Sequence, residues 1–203
     1  MPVLYWLQVR LPDGGLSFAF RPSSLWDGQG WWPGVVSSMF VHGGWMHVAM
    51  NAVAALAFAP PVARQLPGPI GTVSFLLFYV TCGVLATVGY ALVHPDSFDA
   101  LVGASGAVFG LMGAAIRMLG RRDGRLTPLH DRRFLMTTAA IMGVNAAAGL
   151  IGLAPGAGGT SVAWEAHAFG FVAGAVLIGP WRLLGGKPRE AFDSASDLRD
   201  PEV

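Results

Sequence analysis

The chain is poor in charge: Asp, Glu, Lys and Arg make up 12% of its 203 residues, against about 25% in soluble domains. That scarcity, with 53% apolar residues, excludes an ordinary water-soluble domain and points to an integral membrane protein. The net charge of +1 leaves no basic excess that would argue for nucleic acid. There is a single cysteine, Cys82, inside an apolar run; an intrachain disulfide and a thiolate metal site are thereby excluded, and the residue reads as packing. Other absences narrow the chemistry. No pair of acids lies within the apolar spans, as an intramembrane aspartyl protease requires, and Val48 follows His47, so there is no HExxH metal motif. Position 107 is alanine and no alternating strands are visible, which argues against the G-x-S-x-G of a soluble α/β-hydrolase. No inverted repeat or charged pathway suggests a channel or transporter.

What is present is a series of apolar runs. Residues 1–10 are apolar but far short of the ~20 needed to span, they give way to Leu11-Pro12-Asp13-Gly14-Gly15, and they lack the basic start and small-residue site of a cleavable signal peptide. Residues 11–44 carry Pro12, Pro22 and Pro33 with Trp26, Trp31 and Trp32, which suits an ordered loop at the headgroup layer. Spans are expected at 45–63, ending around Pro60-Pro61 and Arg64, then at 70–93, 101–116, 134–153 and 162–181. The fold class is therefore all-α, a polytopic membrane helical bundle with five recognisable spans. It divides into 1–44, a membrane domain over 45–184, and a polar tail over 185–203 in which no fold is expected. The third span, at 16 residues, is too short for a ~30 Å hydrocarbon core. Such a helix can begin below the surface only where the preceding loop is buried in protein or lines a water-filled cavity, which would put Ser105 in a wet pocket.

Orientation follows from the arginines. Arg117, Arg121, Arg122, Arg125, Arg132 and Arg133 bracket the connection between the third and fourth spans, and Arg182, Lys187 and Arg189 follow the fifth. Loops 94–100 and 154–161 contain neither Lys nor Arg. The positive-inside rule makes the arginine-rich connection and the C-terminus cytoplasmic and turns those two loops outward, in agreement with Arg64 after the first span. His47, Asn51, Ser105 and His167 then all fall in the outer part of the membrane, whereas polar residues scattered for packing have no cause to share a depth.

Gly103-Ala104-Ser105-Gly106 on its own reads more readily as a small-residue helix contact. Gly106, Gly110 and Gly113 lie within about 60° of one another around a helix, and Gly170 and Gly174 lie about 60° and 20° from His167, so two bare stripes could bring backbones close. A serine beside one stripe and a histidine beside the other would come within hydrogen-bond reach; a neutral imidazole is the usual base for a serine nucleophile. The alternative is two packing motifs and a histidine bonded to a carbonyl. Glu165 is roughly 160° around the helix from His167 and cannot orient its ring, so a Ser-His dyad without an acid is expected. Donors for an oxyanion could come from the first amides of the Ser105 helix and from His47 and Asn51, which share a face at i and i+4. A polar pair that satisfies the loop above them is the other reading. His94 and His130, on loops, read as solvated.

Three blocks carry a family resemblance. Phe40-Val41-His42-Gly43-Gly44-Trp45-Met46-His47-Val48-Ala49-Met50-Asn51 resembles the HxxxxHxxxN signature of rhomboid intramembrane serine proteases. Gly103-Ala104-Ser105-Gly106 resembles their GxSG, and Ala166-His167-Ala168-Phe169-Gly170-Phe171-Val172-Ala173-Gly174 their AHxxGxxxG, in the family's order. The resemblance implies Ser105 as nucleophile, His167 as general base, and His47, Asn51 and the Ser105 amide as the oxyanion hole. His42, Gly103, Gly106, Phe109, Gly170 and Gly174 would support the site. Phe109 stands where many members have a tyrosine stacked on the catalytic histidine. The resemblance further implies cleavage of transmembrane protein substrates near their outer ends, in a bacterial cytoplasmic membrane and without metal or organic cofactor. The competing expectation is an inactive rhomboid-like protein that binds transmembrane clients. Two departures stand out: the family core has six helices where five can be counted, so residues 1–44 include an incomplete or degenerate first helix, and Trp31-Trp32-Pro33 lacks the arginine of the family's Trp-Arg pair.

Overall fold

A computed structural model describes residues 1–26, 33–66, 70–119, 125–151 and 163–184. The expectations placed on Trp31, Trp32, Arg121, Arg122, loop 154–161 and the tail 185–203 lie outside the described residues.

The chain folds as a helical bundle. A short helix α1 (Pro2–Gln8) and a one-turn helix α2 (Gly34–Ser37) precede five longer ones: α3 (Trp45–Arg64), α4 (Gly71–Val93), α5 (Ser105–Ile116), α6 (Arg132–Ile151) and α7 (Trp164–Leu184). Four of them, α3, α4, α6 and α7, are long and apolar enough to cross a membrane. Their outward faces carry Val53, Leu56, Val144 and Leu150, each at least two-thirds exposed, as expected where the surrounding solvent is hydrocarbon. Helix α1, at 7 residues, is about 10 Å long and too short to span.

One boundary, the start of α5, differs from the sequence expectation. Helix α3 runs through Pro60 and Pro61 and ends at Arg64, as expected. The two rings leave the carbonyls of Leu56 and Ala57 without intrahelical donors, a loss confined to the end of the helix. Helix α5 begins at Ser105, not at 101, and has 12 residues, about 18 Å. The cause is upstream: Gly103 has φ +116°, outside the helical region, and its amide donates to the Ser38 carbonyl at 2.9 Å. Leu101 exchanges two backbone hydrogen bonds with the fully buried Phe20, at 3.1 and 2.7 Å. The approach to Ser105 is thus an extended segment paired to the N-terminal loop, which satisfies backbone groups that a helix would otherwise satisfy internally.

Helix α5 is surrounded by α3, α4 and α7 and presents Val108, Leu111, Ala114 and Ala115 to the core. Helices α5 and α7 run parallel and touch through backbone. A Cβ on Gly170 would overlap the Gly106 carbonyl, one on Gly174 the Gly110 carbonyl, and one on Gly113 the Phe171 carbonyl. Helix α4 runs the other way: Gly89 is covered by Phe169 at one end, and Trp181 Nε1 donates to the Ser74 carbonyl at 3.2 Å at the other. Below α5, Arg117 donates to the carbonyls of Thr127 (2.9 Å) and Ala175 (2.6 Å) and ties the end of α5 to α7. The N-terminal ends of α3, α5 and α7 therefore share one end of the bundle, and Arg64, Arg117 and Arg182 share the opposite end.

Replacing Gly174 by Ala should lower the thermal midpoint in detergent by an amount equivalent to about 1–3 kcal/mol, the cost of overpacking. Gly143→Ala, on the open face of α6 where nothing lies within 4 Å, should stay within about 1 kcal/mol of wild type. Equal midpoints for the two variants would show that the α5–α7 contact is looser than described.

Candidate active site

The serine helix starts where the N-terminal loop is most firmly held. Gln8, the last residue of α1, grips the backbone of His42 from both sides: its Nε2 donates to the His42 carbonyl and its Oε1 accepts from the His42 amide, each at 2.9 Å. Nε2 also donates to the Gly14 carbonyl at 2.9 Å. With the backbone so clamped, the His42 ring is 3% exposed and meets the His47 ring edge-on at 5.3 Å. His47, on the first turn of α3, then lies against Gly103. A Cβ at 103 would stand 2.6 Å from His47 Cε1, 2.7 Å from its Nε2 and 3.7 Å from Ser105 Oγ. The absence of that carbon lets the imidazole edge and the hydroxyl face a common gap.

One turn into α7, His167 reaches across the glycine contact. Its Nε2 lies 2.9 Å from Ser105 Oγ, and its ring stacks on Phe109 with centroids 4.3 Å apart and planes 5° from parallel. Phe109 directly precedes the second bare glycine of α5, Gly110, so glycine contact and ring stack come from the same helix. Asn51, one turn below His47 on α3, is buried at 5% exposure, and its Nδ2 has no protein hydrogen-bond partner. A buried amide N–H without an acceptor is costly in a fold, and it is a preset donor for any oxyanion that forms beside it.

Sequence reasoning missed two connections. Nδ1 of His167 is not unpartnered: it lies 2.7 Å from Asn145 Oδ1, on α6. The signal was available, since Asn145 is the one amide side chain in an otherwise apolar span, and such a group needs a partner. His94, read as a solvated loop residue, keeps a side chain 38% exposed and in addition bonds Glu165 at 3.2 Å and packs on Tyr90 at 4.6 Å. The pair is 71 residues apart in sequence and is made by the antiparallel course of α4 and α7. It also turns the Glu165 carboxylate away from His167.

A family model described as Rhomboid domain matches residues 28–182. The chain belongs to the rhomboid family. Over 133 residues, 62% of this chain, it is 31% identical to "Putative rhomboid protease YdcA" of Bacillus subtilis, of which the match covers 64%. It is 28% identical over 152 residues, 74% of this chain, to RHOMBOID-like protein 5 of Arabidopsis thaliana, and 37% identical over 84 residues, 41% of this chain, to the chloroplastic RHOMBOID-like protein 9 of that plant. The chain spans 44% and 18% of the lengths of those two rhomboid relatives, respectively. Family membership and the span-forming helices make it an integral multi-pass membrane protein of rhomboid type.

The loop histidine of this rhomboid gives a pH dependence. Burial, with the neighbouring His47 second, pushes the His42 imidazole from its ordinary 6.5 down to about 4. Between those values the unfolded chain binds a proton that the folded chain refuses. The stability linked to His42 is therefore complete above pH 6.5 and lost as the pH falls toward 4. Thermal unfolding of wild type and His42→Leu should differ in slope over that range, with the variant flatter; identical slopes would remove His42 as the titrating group.

Proposed function

We propose that this rhomboid is an intramembrane serine endopeptidase that hydrolyses peptide bonds of transmembrane protein substrates. The observation that carries the reading is the 2.9 Å contact between Ser105 Oγ and His167 Nε2, which a purely client-binding protein has no need to build. In the first half-reaction the Ser105 hydroxyl proton passes to Nε2 as Oγ attacks the substrate carbonyl carbon. The carbonyl oxygen becomes an oxyanion facing the Asn51 amide, the His47 ring and the Ser105 backbone N–H, the last being free because Ser105 is the first residue of its helix. Collapse of the tetrahedral adduct breaks the C–N bond, and the proton on Nε2 goes to the leaving amine. Water, deprotonated by His167, then attacks the Ser105 ester and releases the new carboxylate while the proton returns to Oγ.

The placement of the site supports the substrate class. Ser105, His47 and His167 all lie in the first turns of helices whose opposite ends carry or adjoin arginine, and the positive-inside rule supports a site toward the outer face with a cytoplasmic C-terminus. Helix α5, shorter than a bilayer is thick, leaves the serine below the level of the surface with the paired loop above it. A bond there belongs to a substrate helix near its outer end. The Bacillus subtilis relative supports a bacterial cytoplasmic membrane as its location.

In detergent or liposomes, Ser105→Ala and His167→Ala should each abolish cleavage of a model transmembrane substrate; turnover near wild type in either would sink the reading. Asn51→Ala should lower kcat by up to about 10²–10³ with a smaller effect on KM. A raised KM at unchanged kcat would instead make Asn51 a substrate-binding residue.

A further inference from the structure

Helix α6 is the least enclosed of the spans, with Leu135, Met136, Val144 and Leu150 all more than half exposed, yet one of its side chains reaches the candidate base. Asn145 makes two hydrogen bonds: its Nδ2 donates to the Trp164 carbonyl at 3.1 Å, and its Oδ1 lies 2.7 Å from His167 Nδ1. The first bond settles the sense of the second. A backbone carbonyl only accepts, so the nitrogen end of the amide must face Trp164 and the oxygen end must face the imidazole. Amide oxygen also only accepts, so Nδ1 must carry the hydrogen. In a neutral ring the lone pair is then on Nε2, which is the atom facing Ser105 Oγ.

From this network we infer that Asn145 is a positioning residue for catalysis: it holds His167 in the Nδ1–H tautomer, so that Nε2 stands ready to take the Ser105 proton. The inference rests on the proposed protease chemistry for its consequence, though not for its geometry. It replaces the expected two-membered dyad by a line of three, Asn145–His167–Ser105, in which the outer member is a neutral amide. An amide suits the location. A carboxylate would meet the Trp164 carbonyl with like partial charge and would be an ion inside the membrane, whereas the amide satisfies both neighbours uncharged. Thr138 Oγ1, buried in the same helix, has no hydrogen-bond partner, whereas both ends of the Asn145 amide are satisfied by groups on α7. Trp164 supports the arrangement: a Cβ on Gly149, one turn beyond Asn145, would stand 2.9 Å from the Trp164 ring, so the ring packs on bare α6 backbone beside its own carbonyl.

The test reads the tautomer directly and does not require activity. The full chain is labelled with ¹⁵N-histidine in detergent micelles at neutral pH, and His167 is assigned by the resonance missing from His167→Gln. In wild type the proton is expected on Nδ1. Asn145→Leu, which keeps the volume but has no acceptor, should shift the ring toward Nε2–H and lower kcat roughly 10- to 100-fold, the scale of a buried N–H left without its partner, with KM within about threefold. That is well short of the ~10⁴ that follows loss of the carboxylate in a charged triad. Asn145→Asp, which keeps an oxygen toward Nδ1, should retain the Nδ1–H tautomer. A wild-type ring protonated on Nε2 would overturn the inference, as would an Asn145→Leu protein with unchanged tautomer and unchanged kcat. Should that variant not fold, the wild-type and Asn145→Asp spectra decide. Wild-type cleavage by Ser105→Ala would defeat the protease reading while leaving these spectra to judge Asn145.

Discussion

The backbone contact between α5 and α7 is the constraint on which the remaining structure depends. Ser105 and His167 have short side chains on separate helices, and a 2.9 Å contact between them requires helix axes closer than ordinary side chains permit. Carbonyls of Gly106 and Gly110 lie where Cβ atoms of Gly170 and Gly174 would be. In a membrane there is little hydrophobic force to pull apolar helices together, so this proximity has to come from close packing of small residues. Once α5 and α7 are set, α4 covers the other side of the same glycines with Cys82 and Ala86, and Phe109 falls in line with the His167 ring.

Around that contact the polar groups at one end of the bundle are satisfied by partners distant in sequence. Gln8 clamps His42, Leu101 pairs with Phe20, His94 meets Glu165, and Asn145 bridges Trp164 and His167. Each bond fixes a segment that carries or borders a candidate catalytic group. The clamp at His42 orders the loop into α3 and hence the His47 ring, while the Phe20 pairing and the Ser38 bond set the turn into Ser105. The N-terminal segment, too short to span, acts on the site through these bonds.

Much of this was legible in the sequence, for a physical reason: long uncharged runs have one outcome in a bilayer, and the observed helices follow them closely at 45, 71 and 93. The glycine stripes were legible as well, because helical periodicity places Gly106 and Gly110, and Gly170 and Gly174, on defined faces. What could not be read was set by tertiary partners. The late start of α5 depends on Phe20 and Ser38, more than 60 residues upstream. Asn145 has no acidic character to mark it as a partner for His167, and its place beside the ring is set by the packing of α6 on α7.

The central claim is that Ser105 is an activated nucleophile, and the most direct measurement is its reaction with a serine-directed fluorophosphonate in the detergent-solubilised protein. The account predicts one stoichiometric adduct on Ser105 in wild type, no adduct in Ser105→Ala, and strongly slowed labelling in His167→Ala. An unlabelled wild-type protein that retains its fold, or equal labelling in Ser105→Ala, would contradict it.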